Sequence, residues 1–211
     1  MKDDKYLAMT SSFVARAEEL LATGKKANLF YAALEVRMGI EARLQTYVHA
    51  HEEISRQVRN GWKISELSKT LERSGKWATL VSEVEVISQG TGGSLSKLHY
   101  VPVSAELRQI GARLGDFLHY REGPVTRDES WWARLLETVE RGVRDLRVCA
   151  QATLLGPPLV NKADASKVDL KMEFHPDDPR FAALSALAEG NARITLKVSY
   201  FTVSEFYELN R

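Results

Sequence analysis

The sequence has almost no cysteine and no long apolar run, and these absences exclude several protein classes. Cys149 is the only cysteine among 211 residues, so an internal disulfide is excluded and a reducing compartment suits the chain. No apolar run approaches the roughly 20 residues that a membrane-spanning helix needs. The N-terminal segment also lacks the apolar core of a secretory signal peptide. We therefore expect a cytoplasmic protein that does not enter a membrane.

Charge and motif content exclude further classes. The chain has 29 basic and 28 acidic side chains, for a formal net charge of +1. No overall basic field therefore points to nucleic acid, although a local basic cleft remains open. The sequence contains no phosphate-binding glycine loop, nucleophile elbow or cysteine-based zinc spacing. Because His49 and His51 would diverge on a helix, we predict no metal site, and we predict no cofactor.

Apolar periodicity predicts helices over most of the first three-quarters of the chain. A first helix, capped by Ser11 or Ser12, ends at Gly24. The segment KWATLVSEVEVIS, residues 76–88, fits a strand or a helix, and SQGTGGSLS, residues 88–96, has the composition of a flexible connector. The remaining helices are predicted over residues 27–60, 64–74, 104–120 and 131–155.

The last quarter of the chain changes period. KVDLKMEF (167–174) and RITLKVSY (193–200) alternate apolar and polar residues, which predicts two half-buried strands with a shared core. DDPRFAALSALAEGN (177–191) predicts a short helix between them. We therefore predict a mainly α fold: an up-and-down helical bundle over residues 1–157, with a small C-terminal β appendage of β-α-β or β-hairpin type over residues 158–211. The residues predicted to share the core of the appendage are Val168, Leu170, Met172, Phe174, Ile194, Leu196, Val198 and Tyr200.

The helix predicted from residue 27 carries two charges where apolar residues are expected. At about 100° per residue, Phe30, Leu34 and Leu44 converge on one face, and Arg37 and Glu41 fall in the middle of it. The two charges are four residues apart, so they can pair. Three interpretations stay open: a buried ion pair that sets the helix register, a position at the margin of a wide apolar face, or a polar cleft in which both charges meet a ligand.

Two short segments of the chain echo each other. ARLQTYVH contains Arg43 and His49, and ARLGDFLH contains Arg113 and His119. Each segment therefore places an arginine six residues before a histidine. The first pair flanks a helix that is committed to packing, so the second pair is the preferred candidate site.

The helical period gives His119 a direction away from the apolar side of its own helix. Arg108 lies close to that direction, and Asp116 is one turn earlier, where its carboxylate could orient the imidazole. A histidine on the polar face is open to solvent or to a partner. The alternative interpretation is an ordinary surface histidine.

The sequence resembles the HEPN superfamily, the nucleotide-binding and RNA-cleaving helical domains of bacterial defence and toxin systems. FYAALEVRMGIEARL on an early helix and LRQIGARLGDFLHYR on a later one carry the resemblance, which covers roughly residues 10–155. The family signature is an arginine followed, after four to six residues, by a histidine. HEPN nucleases usually have a polar residue directly after the arginine, whereas Leu44 and Leu114 stand there in this chain.

The resemblance implies a homodimer that cleaves RNA without a metal or binds a nucleotide, with the motifs of two copies meeting in a cleft. His119 would take the proton from a 2′-hydroxyl or protonate the leaving oxygen. Arg113 would hold the phosphate, and Asp116 would support His119. The ligand cleft would be lined by Arg37, Glu41 and Arg108.

An alternative from a different class is a catalytically silent helical interaction module, such as an antitoxin or an assembly subunit. Such a module would pair its β appendage with a strand of a partner protein. Leu44 and Leu114 favour this alternative, whereas a polar-face His119 favours the enzyme. The residues alone leave the choice between enzyme and interaction module open.

Overall fold

The computed structural model describes residues 8–73, 79–119, 127–160, 168–174, 178, 180, 185 and 193–209. The protein is mostly helical with a small three-stranded antiparallel sheet, so the prediction of a mainly α chain with a small β part is confirmed. The chain divides into two compact units. A helical unit contains Met1–Leu71 and Val103–Ala150, and a sheet unit contains Glu72–Pro102 and Gln151–Arg211. The sequence analysis placed residues 72–102 in the helical domain. In the structure they group with the C-terminal segment.

The helical unit is built around one central helix. Helix α2 packs against α1, α5 and α6, and both α1 and α5 also contact α6. The bounds of these elements are α1, Thr10–Ala22; α2, Lys26–His49; α3, Arg56–Arg59; α4, Ile64–Arg73; α5, Ala105–Leu118; and α6, Glu129–Ala150. Their core includes Ile40, Leu44, Leu114, Leu135 and Leu146, all buried. Within the part of the chain that the structure describes, no helix is long and apolar enough to cross a membrane.

Glycines allow α2 to approach its neighbours closely. A Cβ atom on Gly39 would lie 2.5 Å from Leu146 Cδ2 and 3.0 Å from Phe13 Cβ. On α6, a Cβ on Gly142 would lie 2.7 Å from Val36 Cγ1. All three distances are shorter than van der Waals contact, so a larger residue at either position would force its neighbours to shift.

Two predicted helices end earlier than the sequence indicates. Helix α2 ends at His49 instead of continuing to about residue 60, and only the short α3 follows it. Helix α6 ends at Ala150 instead of Leu155. The reason at α6 is tertiary, because the backbone N–H groups of Thr153 and Leu154 both donate to the carbonyl oxygen of His99, at 3.0 and 2.9 Å.

The three-stranded sheet joins distant parts of the sheet unit. It consists of β1 (Val81–Ser88), β2 (Ser94–Tyr100) and β5 (Ile194–Phe201). The order is β2-β1-β5, and both pairings are antiparallel. The ambiguous segment at 76–88 is therefore a strand from Val81 onward, and part of the predicted connector belongs to β2. Helix α7 (Val203–Leu209) follows β5 directly.

The predicted shared core of the C-terminal appendage is wrong, because Met172, Ile194 and Tyr200 are exposed and the two alternating segments contribute to different sheets. RITLKVSY forms β5 as predicted, but β5 pairs with β1. Among the described residues of KVDLKMEF, only β4 (Val168–Asp169) is a strand, and it pairs with β3 (Leu159–Val160) in a separate two-stranded sheet. Met172 forms an isolated bridge with Leu154 and is exposed. Alternation can identify a strand, but it carries no information about which strand is the neighbour. The helix predicted at 177–191 lies almost entirely outside the described residues.

Candidate active site

Helix α5 presents Arg113 and Asp116 because its other side is packed. The Ser104 hydroxyl caps the helix by accepting a hydrogen bond from the Leu107 N–H at 3.1 Å. Leu107 and Leu114 are buried on the inner side. Arg113 and Asp116 point to solvent from the opposite side. The amphipathic pattern of α5 therefore leaves both polar side chains exposed.

His119 is exposed, but for a reason other than the predicted one. Helix α5 ends at Leu118, whereas the prediction extended it to about residue 120. His119 has extended backbone angles, φ −69° and ψ 134°, while its N–H still donates to the Gly115 carbonyl oxygen at 3.0 Å. The helical period thus does not set the direction of the imidazole.

Arg113, Asp116 and His119 lie along one short segment and do not bind one another. Among the described residues, no hydrogen bond or ion pair joins any two of them. Arg113 lies within α5, and His119 follows the end of that helix six residues later. The segment therefore presents an acid, a cation and an imidazole side by side to solvent, without the preformed Asp116–His119 contact that the sequence suggested.

Arg37 and Glu41 do pair, and the pair is largely withdrawn from solvent. Arg37 Nε lies 3.2 Å from Glu41 Oε1, with 21% and 11% of the two side chains exposed. Arg37 also donates from Nη1 to the Gly111 carbonyl oxygen of α5 at 3.2 Å. Burial raises the pKa of Glu41, although the neighbouring Arg37 opposes this shift.

Room for the Arg37 guanidinium comes from a glycine on α5. A Cβ atom on Gly115 would overlap Arg37 Nη1. In the segment GARLG, the Gly111 carbonyl oxygen therefore accepts the hydrogen bond from Arg37, and Gly115 leaves space for the guanidinium. Of the three sequence interpretations, the buried ion pair fits these contacts, and the structure adds a link from Arg37 to a second helix. Arg108 lies on the same helix and is half-buried.

The first Arg–His segment differs from the second in its surroundings. Arg43 is buried, and its guanidinium lies 4.4 Å from the centre of the Tyr47 ring. His49 is exposed at the last position of α2. The expectation that this segment is committed to packing therefore describes Arg43 but not His49.

The histidines near the end of α2 also bear on metal binding. His51 is buried, and its Nδ1 lies 3.7 Å from Glu53 Oε1, while His49 faces solvent. Within the described ranges, no group of three or more histidine, cysteine or acidic side chains is arranged to hold a metal ion.

A second polar cluster, on the sheet, was not selected from the sequence. Glu83 on β1 binds two groups of the neighbouring β2: its Oε2 lies 2.9 Å from His99 Nε2, and its Oε1 lies 3.1 Å from Lys97 Nζ. Burial tends to raise the pKa of Glu83, but the hydrogen bonds with His99 and Lys97 outweigh it, and the pKa is lowered. The alternation of Glu83 and Glu85 with buried valines is the available signal, but the sequence predicts a flexible connector over residues 88–96, where β2 begins.

Comparisons of the chain with protein-family models, with curated proteins and with solved structures find no match.

Proposed function

We propose that this protein is a HEPN-like helical domain of a bacterial defence or toxin-type system that acts in the cytoplasm as a homodimer and cleaves RNA without a metal. The supporting observation is the exposure of Arg113, Asp116 and His119 along one segment at the end of α5. None of the three is engaged with another of them, so all remain available to a ligand.

The proposed chemistry follows from the three side chains. The His119 imidazole exchanges a proton near neutral pH, either removing it from the RNA 2′-hydroxyl or returning it to the leaving oxygen. The Arg113 guanidinium binds the phosphate and stabilises the charge that develops on it. Asp116 supports His119 once the ligand is bound. In the homodimer, the motifs of two chains share one cleft, shaped on each side by Arg37, Glu41 and Arg108. Nucleotide binding without cleavage is the other activity of this class.

We also propose that the helical unit is an up-and-down bundle. The supporting contacts are those of consecutive long helices, since α1 packs against α2 and α5 packs against α6. Only Thr23, Gly24 and Lys25 separate α1 from α2, and a connection of this length suits antiparallel neighbours.

The experiment is an RNA cleavage assay in excess chelator with single-stranded and structured RNA. Attack by the 2′-hydroxyl leaves a 2′,3′-cyclic phosphate, so this end group is expected on the fragments. His119→Ala should abolish cleavage while changing the free energy of unfolding by no more than about 0.5 kcal/mol, because His119 is a surface residue. Arg113→Gln should reduce cleavage strongly.

His49→Ala is the matched control, since His49 is also an exposed histidine at the end of a helix in an Arg–His segment. This variant should retain wild-type cleavage. Cleavage that survives in His119→Ala, or that disappears equally in His49→Ala, would contradict the assignment. Light scattering should give twice the chain mass.

A catalytically silent interaction module is the second candidate. Tyr31, Leu34 and Met38 are exposed at positions i, i+3 and i+7 of α2, which is the spacing of an apolar stripe that contacts a partner helix. In the sheet, β5 lies at an edge and, among the described strands, pairs only with β1. If the wild-type protein leaves every RNA intact, this candidate replaces the nuclease.

A further inference from the structure

Four aromatic side chains meet where α2 and α6 begin and α5 ends. We call Phe30, Phe117, Trp131 and Trp132 the aromatic cluster. Trp131 is its centre, with ring centroids 5.8 Å from Phe30, 5.3 Å from Phe117 and 5.0 Å from Trp132. All four side chains are only half-buried. The cluster therefore holds three helices together and still keeps part of its ring surface accessible.

The outer ring faces of this cluster are covered by flexible cations. The guanidinium of Arg127 lies 4.9 Å from the centre of Phe30 and 5.2 Å from that of Trp131. The ammonium group of Lys26 lies 5.4 Å from the centre of Trp132. Both cationic residues are exposed. Among the described residues, an exposed, long side chain that lies over a ring face can rotate away at small cost, which makes that face accessible to another planar group.

The two carboxylates at the start of α6, Asp128 and Glu129, already have partners. Glu129 pairs with Lys26. The carboxylate of Asp128 accepts hydrogen bonds from the Trp131 N–H at 2.8 Å and from the Ser130 hydroxyl at 2.9 Å, which caps α6. Hydrogen bonds from these two residues lower the pKa of Asp128. A phosphate that approaches the cluster would therefore meet two carboxylates that already have partners. It would also meet the cations that lie over the rings.

A nucleotide matches both parts of this surface. A base has a planar face that stacks on aromatic rings, and its phosphate is the preferred partner of a lysine or arginine displaced from those rings. One ligand could thus exchange the three cation–π contacts of Arg127 and Lys26 for base stacking and two charge-assisted contacts. The cluster also adjoins the candidate active site along the chain, because Phe117 lies between Asp116 and His119.

We propose that the aromatic cluster is a stacking platform for single-stranded RNA, which seats bases next to the phosphate that Arg113 and His119 address. This inference rests on the proposed function for its ligand. It adds the side chains that bind the strand: Trp132 and Phe30 stack on bases, while Arg127 and Lys26 bind the backbone phosphates.

Equilibrium binding of a fluorescent 12-nucleotide 2′-O-methyl RNA tests the platform. This probe has no 2′-hydroxyl nucleophile, so its binding is measured whether or not the protein cleaves RNA. Trp132→Leu should weaken binding at least about fivefold, the effect of losing one stacked base. The matched control is Trp62→Leu, because Trp62 is another partly exposed tryptophan of the helical unit, outside the cluster. This control should bind as the wild type does.

Arg127→Gln gives a second, independent measurement that leaves the aromatic rings intact. The logarithm of the association constant falls linearly with the logarithm of the salt concentration. Loss of one phosphate contact should make this negative slope less steep by about 0.7. If Trp132→Leu does not fold, the salt dependence of Arg127→Gln tests the platform instead. Binding that is unchanged in both variants, or equally weakened in Trp62→Leu, would overturn the platform, as would adenosine monophosphate binding as tightly as the oligonucleotide.

The two proposals fail in different ways. Cleavage of unmodified RNA combined with binding that does not depend on Trp132 or Arg127 would overturn the platform and keep the nuclease. Binding of the 2′-O-methyl RNA that depends on both residues, without cleavage of unmodified RNA, would overturn the nuclease and keep the platform.

Discussion

At the scale of single residues, Arg37 is tolerated inside the helical unit because three separate requirements are met. Glu41 supplies the opposite charge, the Gly111 carbonyl oxygen accepts a hydrogen bond, and Gly115 leaves space for the guanidinium. A charge that is withdrawn from water is costly unless it is both paired and hydrogen-bonded. Arg37 therefore acts as a connection between α2 and α5.

The ion pair predicts an asymmetry between single and double variants. Arg37→Met should lower the free energy of unfolding by about 1–3 kcal/mol, less than for a fully buried pair because part of Arg37 still contacts water. Arg37→Met combined with Glu41→Leu should recover most of the loss, since no buried charge is left without its partner. Urea unfolding followed by circular dichroism measures both changes.

An exposed ion pair serves as the control for this comparison. Arg147 binds Glu18 with more than half of its side chain in solvent, so Arg147→Met should cost less than about 1 kcal/mol. If Arg37→Met cost no more than this control, Arg37 would not connect the two helices in the way proposed.

At the scale of elements, β1 shows how a strand presents different chemistry on its two faces. Val84 and Val86 are buried, whereas Glu83 and Glu85 lie on the other face, beside cations of the flanking strands. Glu83 faces His99 and Lys97 of β2, and Lys97 has its pKa raised by its hydrogen bond with Glu83. Two neighbouring strands thus form one polar cluster that neither strand contains alone.

This cluster predicts a component of acid sensitivity. The pKa of Glu83 is lowered from its ordinary value of 4.5, so its ionised form stabilises the fold above that pH. The stabilisation is lost as the pH falls through the lower, folded-state pKa. Between pH 6 and pH 3, the wild type should therefore lose more stability than Glu83→Gln. Thermal unfolding across this range provides the measurement.

Glu85→Gln is the control on the same face of β1, because the Glu85 carboxylate lies 3.9 Å from an exposed Lys197. Its stability should follow the wild-type dependence on pH more closely. Equal slopes for wild type and Glu83→Gln would show that the cluster contributes nothing to the acid response.

At the scale of the whole molecule, the single cysteine is a reporter of opening in the helical unit. Cys149 is buried on α6. Burial raises the pKa of its thiol to about 12, with Arg43 acting in the opposite direction. Because the thiolate is the reactive form, both low access and low thiolate content protect this residue while the unit is folded.

We therefore expect Cys149 to react with a thiol reagent at pH 8 at a small fraction of the rate in denaturant, and only through opening of the helical unit. Absorbance of the released chromophore follows the reaction. Leu136→Cys in a Cys149→Ser background places a cysteine at an exposed position of the same helix, and it should react rapidly. Rapid reaction of native wild type would mean that the unit opens readily or that Cys149 is accessible.

The sequence by itself determined the features that depend on local periodicity. The apolar spacing after Ser104 predicted a helix with one apolar side at α5, because helix geometry directs side chains independently of what lies around them. Strict alternation likewise predicted β5. The helical interpretation of α4 and α6 depended on the same local regularity.

Only the tertiary structure decided where these elements end and which ones meet. Beyond the end of α6, the backbone N–H groups of Thr153 and Leu154 donate to the carbonyl oxygen of His99. Strand β5 pairs with β1, about a hundred residues earlier in the chain. Neither partner can be identified from a local pattern, because backbone hydrogen bonds are the same for every sequence. The spacing within α2 likewise predicted that Arg37 and Glu41 could pair. It could not predict the space above Gly115 that the guanidinium occupies, because Gly115 belongs to α5.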